Sequence, residues 1–492
     1  MVALRVLAMV AVESTSLTYQ TADWVAGYES LIPEYDYWIE TIEGEIPAQL
    51  RGTIFRNGPG RLGVGEQRYG HPFDGDGLIV AIRLEDGRAH FQNRFVRTPE
   101  FEAEQKAQKI LYRGVFGTQK PGGWLANIFD LTFKNPANTN VQYHGGKLLA
   151  LWEASLPYQL DPQTLATKGQ ETFGQVLKAG EAFTAHPRRD PKTGDLRAFG
   201  VRSGINSTLS LYRINAKGQM IQRRDQPMKG FAFIHDFVWM PGYQVFFQNP
   251  VSFNPLPFVL GFQSAGTCLK LDEQGSTQAW IYPDEGDPIT LPTEAGFVFH
   301  HVNGYVESQD PRILVVDSIV YDHLPPLEPI EDYQQINFEQ VPPGRLVRFR
   351  LDLSQRRVSQ ETLLERSVEF PVIAPTCMGG RHRYIYMGTT DQPGPNAPLQ
   401  AVIKLDVETG EQQIHSFGPQ CFIGEPLFIP QPGATVEDAG WISVMVFDGS
   451  SKRSFVAILD AQAIAAGTAA KLHLNHHVPY GLHGCFTPEL FG

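Results

Sequence analysis

The chain has 492 residues, of which 42% are hydrophobic and 19% are charged, as in a soluble globular protein with a large core. Its formal net charge of −12 disfavours nucleic acid as a partner, because phosphate groups repel an acidic surface. The four cysteines lie far apart without a C-x-x-C pair, which disfavours a zinc finger or a disulfide framework and favours a reducing cytoplasm.

The first twelve residues are apolar, and Arg5 is their only positive charge. They lack the charged start and the cleavage site of a secretory signal. We therefore predict a disordered leader at residues 1–15 and a single domain from 16 to 492. No later run reaches the roughly 18 consecutive apolar residues that a membrane helix needs.

A β-rich unit recurs along the chain, in which an apolar strand ends in Asp, Asn or Glu-Asp before a turn. Alternation of apolar and polar residues is typical of a half-buried strand, and Asp and Asn tolerate turn geometry. Seven copies occur, at 81–87, 158–162, 211–215, 268–272, 347–352, 402–406 and 456–460. They predict an all-β fold, a seven-bladed β-propeller.

The copies are spaced more widely than the roughly 40 to 50 residues of a compact blade. We therefore expect long segments gathered on one face as a helical and loop cap, at about 98–140 and 248–266. An array of β-sandwiches is the alternative that the same strands allow.

Seven side chains stand in short, distinctive settings: His186, His235, His300, His483, Glu153, Glu369 and Glu425. Converging neutral imidazoles suit iron, copper, zinc or nickel, and carboxylates behind them would accept the remaining ring N–H groups. His235, Glu369 and Glu425 each precede a turn residue of the repeat by 35 to 37 positions. Equivalent positions on inner strands would converge on the propeller axis, which predicts a metal centre there.

The other ten histidines are expected to be structural. His71, in the run His-Pro-Phe-Asp-Gly-Asp-Gly, is interpreted as part of a tight turn, although the setting could also be catalytic. His301 adjoins His300, and neighbours on a strand point to opposite faces, so only one of the two can face the axis.

Several motifs in the same order resemble the carotenoid cleavage oxygenases. They are the segments 55–60, 71–77, 134–140, 297–301 and 396–400 together with the histidine and glutamate settings, and the likeness runs from about Tyr28 to Phe486. The last three segments are most similar to the cyanobacterial apocarotenoid oxygenases of that family. The resemblance implies a capped seven-bladed propeller that holds one non-haem Fe(II) per chain.

The resemblance also implies roles for individual residues. The iron ligands would be His186, His235, His300 and His483, with His300 chosen over His301 because Asn303 completes a His-x-x-Asn pattern. The carboxylates that orient them would be Glu153, Glu369 and Glu425, and the Thr139 methyl group would partly occlude an oxygen-binding position.

A tunnel for a polyene needs an aromatic lining. The candidate lining residues are Trp152, Phe233, Phe237, Phe299, Tyr321 and Phe370, each of which could equally be a core residue.

The implied activity is the O₂-dependent cleavage of a polyene C=C bond of an apocarotenal or apocarotenol into two carbonyl products. The expected bond is 15,15′, with retinal as a product. Alternatives are cleavage of a full-length carotenoid at another bond such as 9,10/9′,10′, cleavage of a stilbene, or a non-catalytic carotenoid-binding propeller. No obligate protein partner is indicated.

Apolar cap residues leave peripheral membrane contact open. They are Val115, Phe116, Trp124, Leu125, Ile128, Phe129, Phe262 and residues 256–260. A large exposed apolar patch often marks a membrane contact, whereas the same residues could instead form the core of the cap.

Overall fold

A computed structural model describes residues 19–272, 274–294, 296–324, 336–394 and 396–492. The predicted leader at 1–15 lies outside these residues. Within them, the α-helices are short, namely Thr21–Ala26, Pro99–Ala107, Trp124–Asn127 and Pro255–Val259. Most of the described chain is therefore strand, turn and loop.

Seven antiparallel sheets of four to six strands form the seven blades of a β-propeller, as predicted. The strands of blades 1 to 3, from the inner edge outwards, are Gly484–Thr487, Gly52–Arg61, Asp76–Glu85, Arg88–Phe95 and Asp36–Trp38; then Asn140–His144, Lys147–Leu151, Tyr158–Leu160 and Thr167–Gln170; then Arg188–Arg189, Leu196–Arg202, Ser207–Ile214 and Met220–Met228. Those of blades 4 and 5 are Val238–Met240, Tyr243–Gln248, Thr277–Pro283 and Ile289–Thr293; then Phe297–Val306, Ile313–Tyr321, Arg345–Asp352 and Arg357–Leu364. Those of blades 6 and 7 are Val368–Val372, Tyr384–Thr389, Ala401–Asp406 and Gln412–Ser416; then Cys421–Ile423 with Leu427–Pro430, Gly440–Asp448, Arg453–Asp460, Thr468–His473 and Thr41–Gly44.

The ring closes because each end of the chain supplies a strand to the blade formed mainly by the opposite end. The C-terminal strand Gly484–Thr487 is the inner strand of blade 1, where Cys485 pairs with Phe55. The N-terminal strand Thr41–Gly44 is the outer strand of blade 7, where Thr41 pairs with His473. Backbone hydrogen bonds therefore join the first and last blades at both the inner and the outer edge.

Each of the seven interfaces between neighbouring blades holds its own cluster of buried apolar side chains. In one of them Ile54 of blade 1 packs in the same cluster as Ile458 of blade 7. Because a middle strand packs against a blade on each side, both of its faces are apolar, and Ile313–Tyr321 is buried almost throughout. The outer strand Arg357–Leu364 is mostly exposed and polar. Such a closed ring excludes the β-sandwich array.

One copy of the predicted repeat was wrongly assigned. Six of the seven copies end the third strand of a blade, but residues 268–272 lie in a separate hairpin, Val251–Phe253 with Leu269–Leu271. The third strand of blade 4 is Thr277–Pro283. The reason is an insertion between the second and third strands of blade 4, which carries an apolar run and an Asp like those of the true copies. The spacing from His235 to Asp272 therefore does not show that His235 occupies the same position in its blade as Glu369 and Glu425 do in theirs.

The two predicted cap segments pack on each other. The guanidinium of Arg113, fully buried, donates to the carbonyl oxygens of Asp130 and Gln263 at 2.7 Å each, and it lies 4.0 Å above the Phe258 ring. The ring of Phe133, in the first segment, stacks on the ring of Phe258, in the second, with the ring centroids 5.3 Å apart. Phe258 is thus a core residue of the cap segments, whereas six other apolar side chains stay exposed: Trp124, Leu125, Phe129, Leu131, Leu256 and Phe262.

A buried ion cluster fastens the first of these segments to blade 1. The Lys134 ammonium lies 2.6 Å from Asp76 and 2.7 Å from Glu104, and it donates to the Tyr69 hydroxyl at 2.6 Å. Arg61 donates to the same Asp76 carboxylate at 2.6 Å. Two cations and two anions balance within the cluster, so removing one member leaves an unpaired buried charge.

No helix in the part of the chain that the structure describes has the length and apolar character that crossing a bilayer demands.

We expect Lys134→Met to lower the free energy of unfolding by about 3–5 kcal/mol, because Asp76 and Glu104 then keep buried negative charge with only Arg61 opposite. The matched control is Lys168→Met, whose partner Asp161 is a surface residue, and it should change the free energy by about 1 kcal/mol or less. Denaturant titration followed by tryptophan fluorescence measures both. Equal losses in the two variants would contradict a structural role for the cluster.

Candidate metal centre

Four histidines reach the axis from the inner edges of four blades. His300 lies within the inner strand of blade 5, and His483 immediately precedes that of blade 1. His186 and His235 stand two and three residues before the inner strands of blades 3 and 4. Inner edges converge on the axis of a propeller, so these rings are brought together although they are far apart in sequence.

The four rings form one cluster. A ligand atom from each of them lies within 4.8 Å of those of the other three. The Nε2 atoms of His186 and His235 are 2.9 Å apart, and five of the ring pairs have centroids 4.5 to 5.3 Å apart. His301 turns away and bonds through Nδ1 to the Ser318 hydroxyl at 2.7 Å. The structure thus brings His300 to the axis and not His301.

Three of the rings are each held by a carboxylate from a different blade. Glu153, just after the second strand of blade 2, lies 3.0 Å from Nδ1 of His235. Glu369, on the inner strand of blade 6, lies 2.6 Å from Nδ1 of His300. Glu425, between the two inner strands of blade 7, lies 2.8 Å from Nδ1 of His483. All seven blades therefore contribute one side chain to the centre.

The carboxylates are themselves fixed by further donors. Tyr321 donates to Glu369 at 2.7 Å, and the Phe370 N–H bonds to the other oxygen of the same carboxylate. Arg56 donates to Glu425 at 3.2 Å, and the Gly484 N–H does so at 3.0 Å. These bonds fix the direction of each carboxylate and, through it, the plane of each imidazole.

The inner strands of blades 5 and 6 are irregular at the centre. Their ladders change register between Val298 and His301, and between Glu369 and Val372. Phe370 has a φ of 53°, in the left-handed region that non-glycine residues rarely adopt. Bulges of this kind redirect side chains next to functional sites, and here they let Glu369 meet both His300 and the Phe370 N–H.

Burial and the imidazole–carboxylate pairs determine the protonation states of the glutamates and histidines at the centre. Burial would raise the pKa of each of the three glutamates, but the paired imidazole outweighs it, so each carboxyl pKa lies below its usual value. Burial, with the neighbouring imidazoles, holds the pKa of His186 well below the usual value. Burial would lower the pKa of His300, but the Glu369 carboxylate outweighs it and raises that pKa. The glutamates thus stay ionised and keep their bonds to the rings.

The donor set fits a transition metal ion. Each ring that donates Nδ1–H to a carboxylate must carry its lone pair on Nε2. The His235 Nε2 atom faces the His186 Nε2 atom, and the His300 Nε2 atom is buried without a hydrogen-bond partner among the described residues. A cation between these two nitrogens would accept a lone pair from each of them. Two nitrogens about 2.1 Å from one ion and at right angles would be about 3 Å apart, close to the spacing observed.

Two cavities meet at the four rings. One, of about 660 Å³, follows the axis between the inner strands and reaches His186, His300 and His483. The other, of about 340 Å³, reaches His235, His300 and His483 and is walled by aromatic side chains. Its size and apolar wall suit an apolar ligand placed beside the metal.

Five of the six predicted tunnel residues line this aromatic cavity, namely Trp152, Phe233, Phe299, Tyr321 and Phe370. Phe237 does not, and that expectation is corrected. Its ring is fully buried between blades 3 and 4, 5.1 Å from Phe199 and 5.2 Å from Phe246. The cause is that residues 231–237 form no strand, so alternation from Phe233 through His235 does not extend to Phe237.

Thr139 lies in the cavity wall beside the cluster. Its hydroxyl is 3.4 Å from the Glu153 carboxylate, and its carbonyl accepts the His483 N–H at 3.2 Å. Thr139 is thus bonded to one of the carboxylates and to the backbone of one of the four histidines.

The wall also contains aromatic residues that were not among the predicted tunnel residues: Trp24, Tyr28, Phe73, Phe116 and Phe338. His71 belongs to the same wall, although its motif was interpreted as a tight turn. Arg56, which binds Glu425, lies in the Phe-Arg-Asn-Gly-Pro-Gly motif at 55–60. The signal that could have identified it is an arginine that directly follows the apolar strand residues Ile54 and Phe55.

Comparison with known proteins agrees with this arrangement. Residues 28–488 match the family described as retinal pigment epithelial membrane protein. The chain is 44% identical to apocarotenoid-15,15′-oxygenase of Synechocystis sp. over 475 residues, or 95% of this chain and 96% of that protein. It is 33% identical to isoeugenol monooxygenase of Pseudomonas putida over 467 residues, or 90% and 93%. A crystal structure of cobalt-substituted Synechocystis ACO superposes with a TM-score of 0.93 at 43% identity, covering 96% of this chain and 100% of that one.

We expect Glu153→Gln, Glu369→Gln and Glu425→Gln to bind a divalent metal about 10–100-fold more weakly, because a neutral amide makes the paired imidazole a poorer donor. Titration of metal-free protein with Co(II), followed by its visible absorption, measures the affinity. Glu361→Gln, on the exposed outer strand of blade 5, is the control and should bind as the parent does. Unchanged affinity in all three variants would contradict the proposed orienting role.

Proposed function

Because this chain belongs to the carotenoid cleavage oxygenase family, we propose that it uses a ferrous ion and O₂ to cleave the 15,15′ double bond of an apocarotenoid. The family and the oxygenase class follow from the match over residues 28–488 and from the relatives described above. The choice of substrate and bond rests on the similarity to the Synechocystis enzyme, whose name specifies them.

The observation that carries the proposal is the contact between the four-histidine cluster and the aromatic cavity. His235, His300 and His483 form part of the cavity wall, so a ligand bound there lies against the metal ligands. The π faces of the wall attract positive charge. A conjugated polyene gives up electron density more readily than an isolated double bond, and such a wall would stabilise the cation that results.

When bound, a ferrous ion would bind and activate dioxygen. His186, His235, His300 and His483 would hold it without a negative ligand, so the ion would keep its full positive charge and would be harder to oxidise in the absence of the polyene. Glu153, Glu369 and Glu425 would keep each paired ring in one tautomer and one plane. The Thr139 methyl group would narrow the space left for oxygen.

The overall reaction balances without an added reductant. One C=C bond and one O₂ molecule are consumed, and two C=O bonds form, so the four electrons that reduce O₂ come from the double bond itself. Retinal would be one of the two carbonyl products of 15,15′ cleavage.

Incubation of the iron-loaded protein with one defined apocarotenal should yield retinal and a second carbonyl fragment in air, with one O₂ consumed per substrate, and no product without oxygen. His300→Ala should abolish turnover because it removes a metal ligand, whereas His473→Ala, on an outer strand of blade 7, should not. Oxygen electrode readings and mass spectrometry of the products measure both.

Two results would contradict this proposal. Substrate retained unchanged, with no oxygen consumed, would indicate a carrier propeller. Fragments of other lengths would indicate cleavage at another bond, such as 9,10.

We also propose that the exposed apolar residues of the cap segments make peripheral contact with a bilayer. Leu125 and Phe129 are 69% and 71% exposed, and Leu256 and Phe262 are 61% and 60% exposed. The two groups are adjacent, since the Trp124 and Phe262 rings are 5.6 Å apart and the Phe129 N–H bonds to the Val259 carbonyl. A patch of this kind would let an apolar substrate pass from the lipid to the cavity.

The parent protein should float with phosphatidylcholine vesicles in a density gradient. A variant with serine at Leu125, Phe129, Leu256 and Phe262 should remain in the soluble fraction, because the apolar area that enters the lipid is gone. Ile205→Ser, which changes a fully exposed residue of blade 3, should float like the parent. A parent protein that does not float would refute membrane contact.

A further inference from the structure

His71 lies in the wall of the aromatic cavity and has no part in holding the metal centre. It is only 6% exposed. Its ring is 4.7 Å from that of Phe73 and 5.4 Å from that of Phe116, and both of these side chains line the same cavity. A polar ring therefore stands among apolar ones in a site built for an apolar ligand.

The hydrogen bonds of His71 fix which nitrogen carries its proton. Nδ1 accepts the backbone N–H of Phe73 at 3.1 Å, at the start of the short turn Pro72–Asp74. An accepting Nδ1 has no hydrogen, so a neutral ring carries its proton on Nε2. Burial lowers the pKa of His71 to about 4, which keeps the ring neutral at physiological pH.

The Nε2–H group of His71 has no acceptor among the described residues. The nearest acid, Asp74, already accepts the backbone N–H groups of Phe116, Gly117 and Thr118 at 2.9 to 3.0 Å. An apolar ligand that fills the cavity would shut this donor off from water, which is costly unless the ligand supplies an acceptor.

Two other polar side chains of the wall already have partners. The Tyr321 hydroxyl donates to Glu369, and the Asn138 amide donates to the carbonyl oxygens of Phe73 and Gly75. These side chains maintain the site, whereas His71 offers it a free donor.

We propose that His71 Nε2–H donates a hydrogen bond to the oxygen at the end of a shortened carotenoid chain, either an aldehyde or a hydroxyl group. The inference rests on the proposed function and deepens it, since it makes His71 the residue that prefers an oxygenated end over a hydrocarbon end. Without this bond, the substrate oxygen and the Nε2–H group would each lose a hydrogen bond to water on binding, and no new hydrogen bond would replace it. Sites that bond to a substrate oxygen reject the analogue that lacks it, because their own polar group is then left unpaired.

Two substitutions separate this role from a structural one. In His71→Asn, the amide oxygen can take the place of Nδ1 and accept the Phe73 N–H, but no donor reaches the position of Nε2. In His71→Gln, the longer amide can place an N–H group near the position of Nε2, but the bond to Phe73 is lost. The first variant keeps the turn and loses the donor, and the second does the reverse.

The measurement is kcat/KM of the iron-loaded protein for an apocarotenal and for the analogue in which a methyl group replaces the formyl group. We expect the parent to prefer the aldehyde by about 10- to 100-fold, in line with the cost of an unpaired buried donor. His71→Asn should lose most of this preference through a raised KM for the aldehyde, with the methyl analogue unaffected. His71→Gln should keep the preference and have the lower melting temperature.

Binding of both ligands without oxygen, followed by quenching of tryptophan fluorescence, provides a second readout that needs no turnover. A His71→Asn variant with the parental preference, or one that loses both ligands equally, would overturn the inference. A parent that binds the aldehyde preferentially but cleaves nothing would contradict the proposed function and leave the role of His71 supported. A parent that cleaves both ligands equally would overturn only the inference.

Discussion

The whole site depends on imidazole–carboxylate pairs that each bridge two blades. None of the three pairs joins residues of the same sheet: Glu153 of blade 2 meets His235 of blade 4, Glu369 of blade 6 meets His300 of blade 5, and Glu425 of blade 7 meets His483 of blade 1. Any change in the angle between blades would pull a carboxylate away from its ring. The apolar clusters at all seven interfaces therefore set the geometry of the centre.

The charged groups of the centre are kept one residue away from the metal position. Neutral nitrogens face the metal position, and the negative groups stand one bond further out, where Arg56, Tyr321 and backbone N–H groups hold them. A carboxylate in contact with the ion would neutralise it, whereas a carboxylate behind an imidazole only strengthens the donor. The low polarity of the aromatic cavity makes both effects stronger than they would be in water.

The sequence was sufficient for the blade count, for the choice of the seven polar residues that meet at the axis, and for half of the aromatic wall. Prediction from the sequence failed in segments that do not form a regular strand. His235 and Phe237 lie in an irregular approach to blade 4, so strand alternation did not apply, and the insertion after the second strand of that blade imitated a repeat. His71 was missed for another reason: its motif describes a turn correctly, and only the packing of Phe73 and Phe116 reveals that one ring nitrogen is left over. Spacing along a chain reports which residues share an element, but not which polar atoms remain unsatisfied after packing.

The closure of blade 1 by the strand Gly484–Thr487 has a consequence for biosynthesis. A ribosome produces His186, His235 and His300 long before His483, and the nascent chain holds only three of the four imidazoles until that last strand is made. Translation must therefore run to the final blade before the four-histidine cluster is complete, and a prematurely terminated product would lack the fourth imidazole.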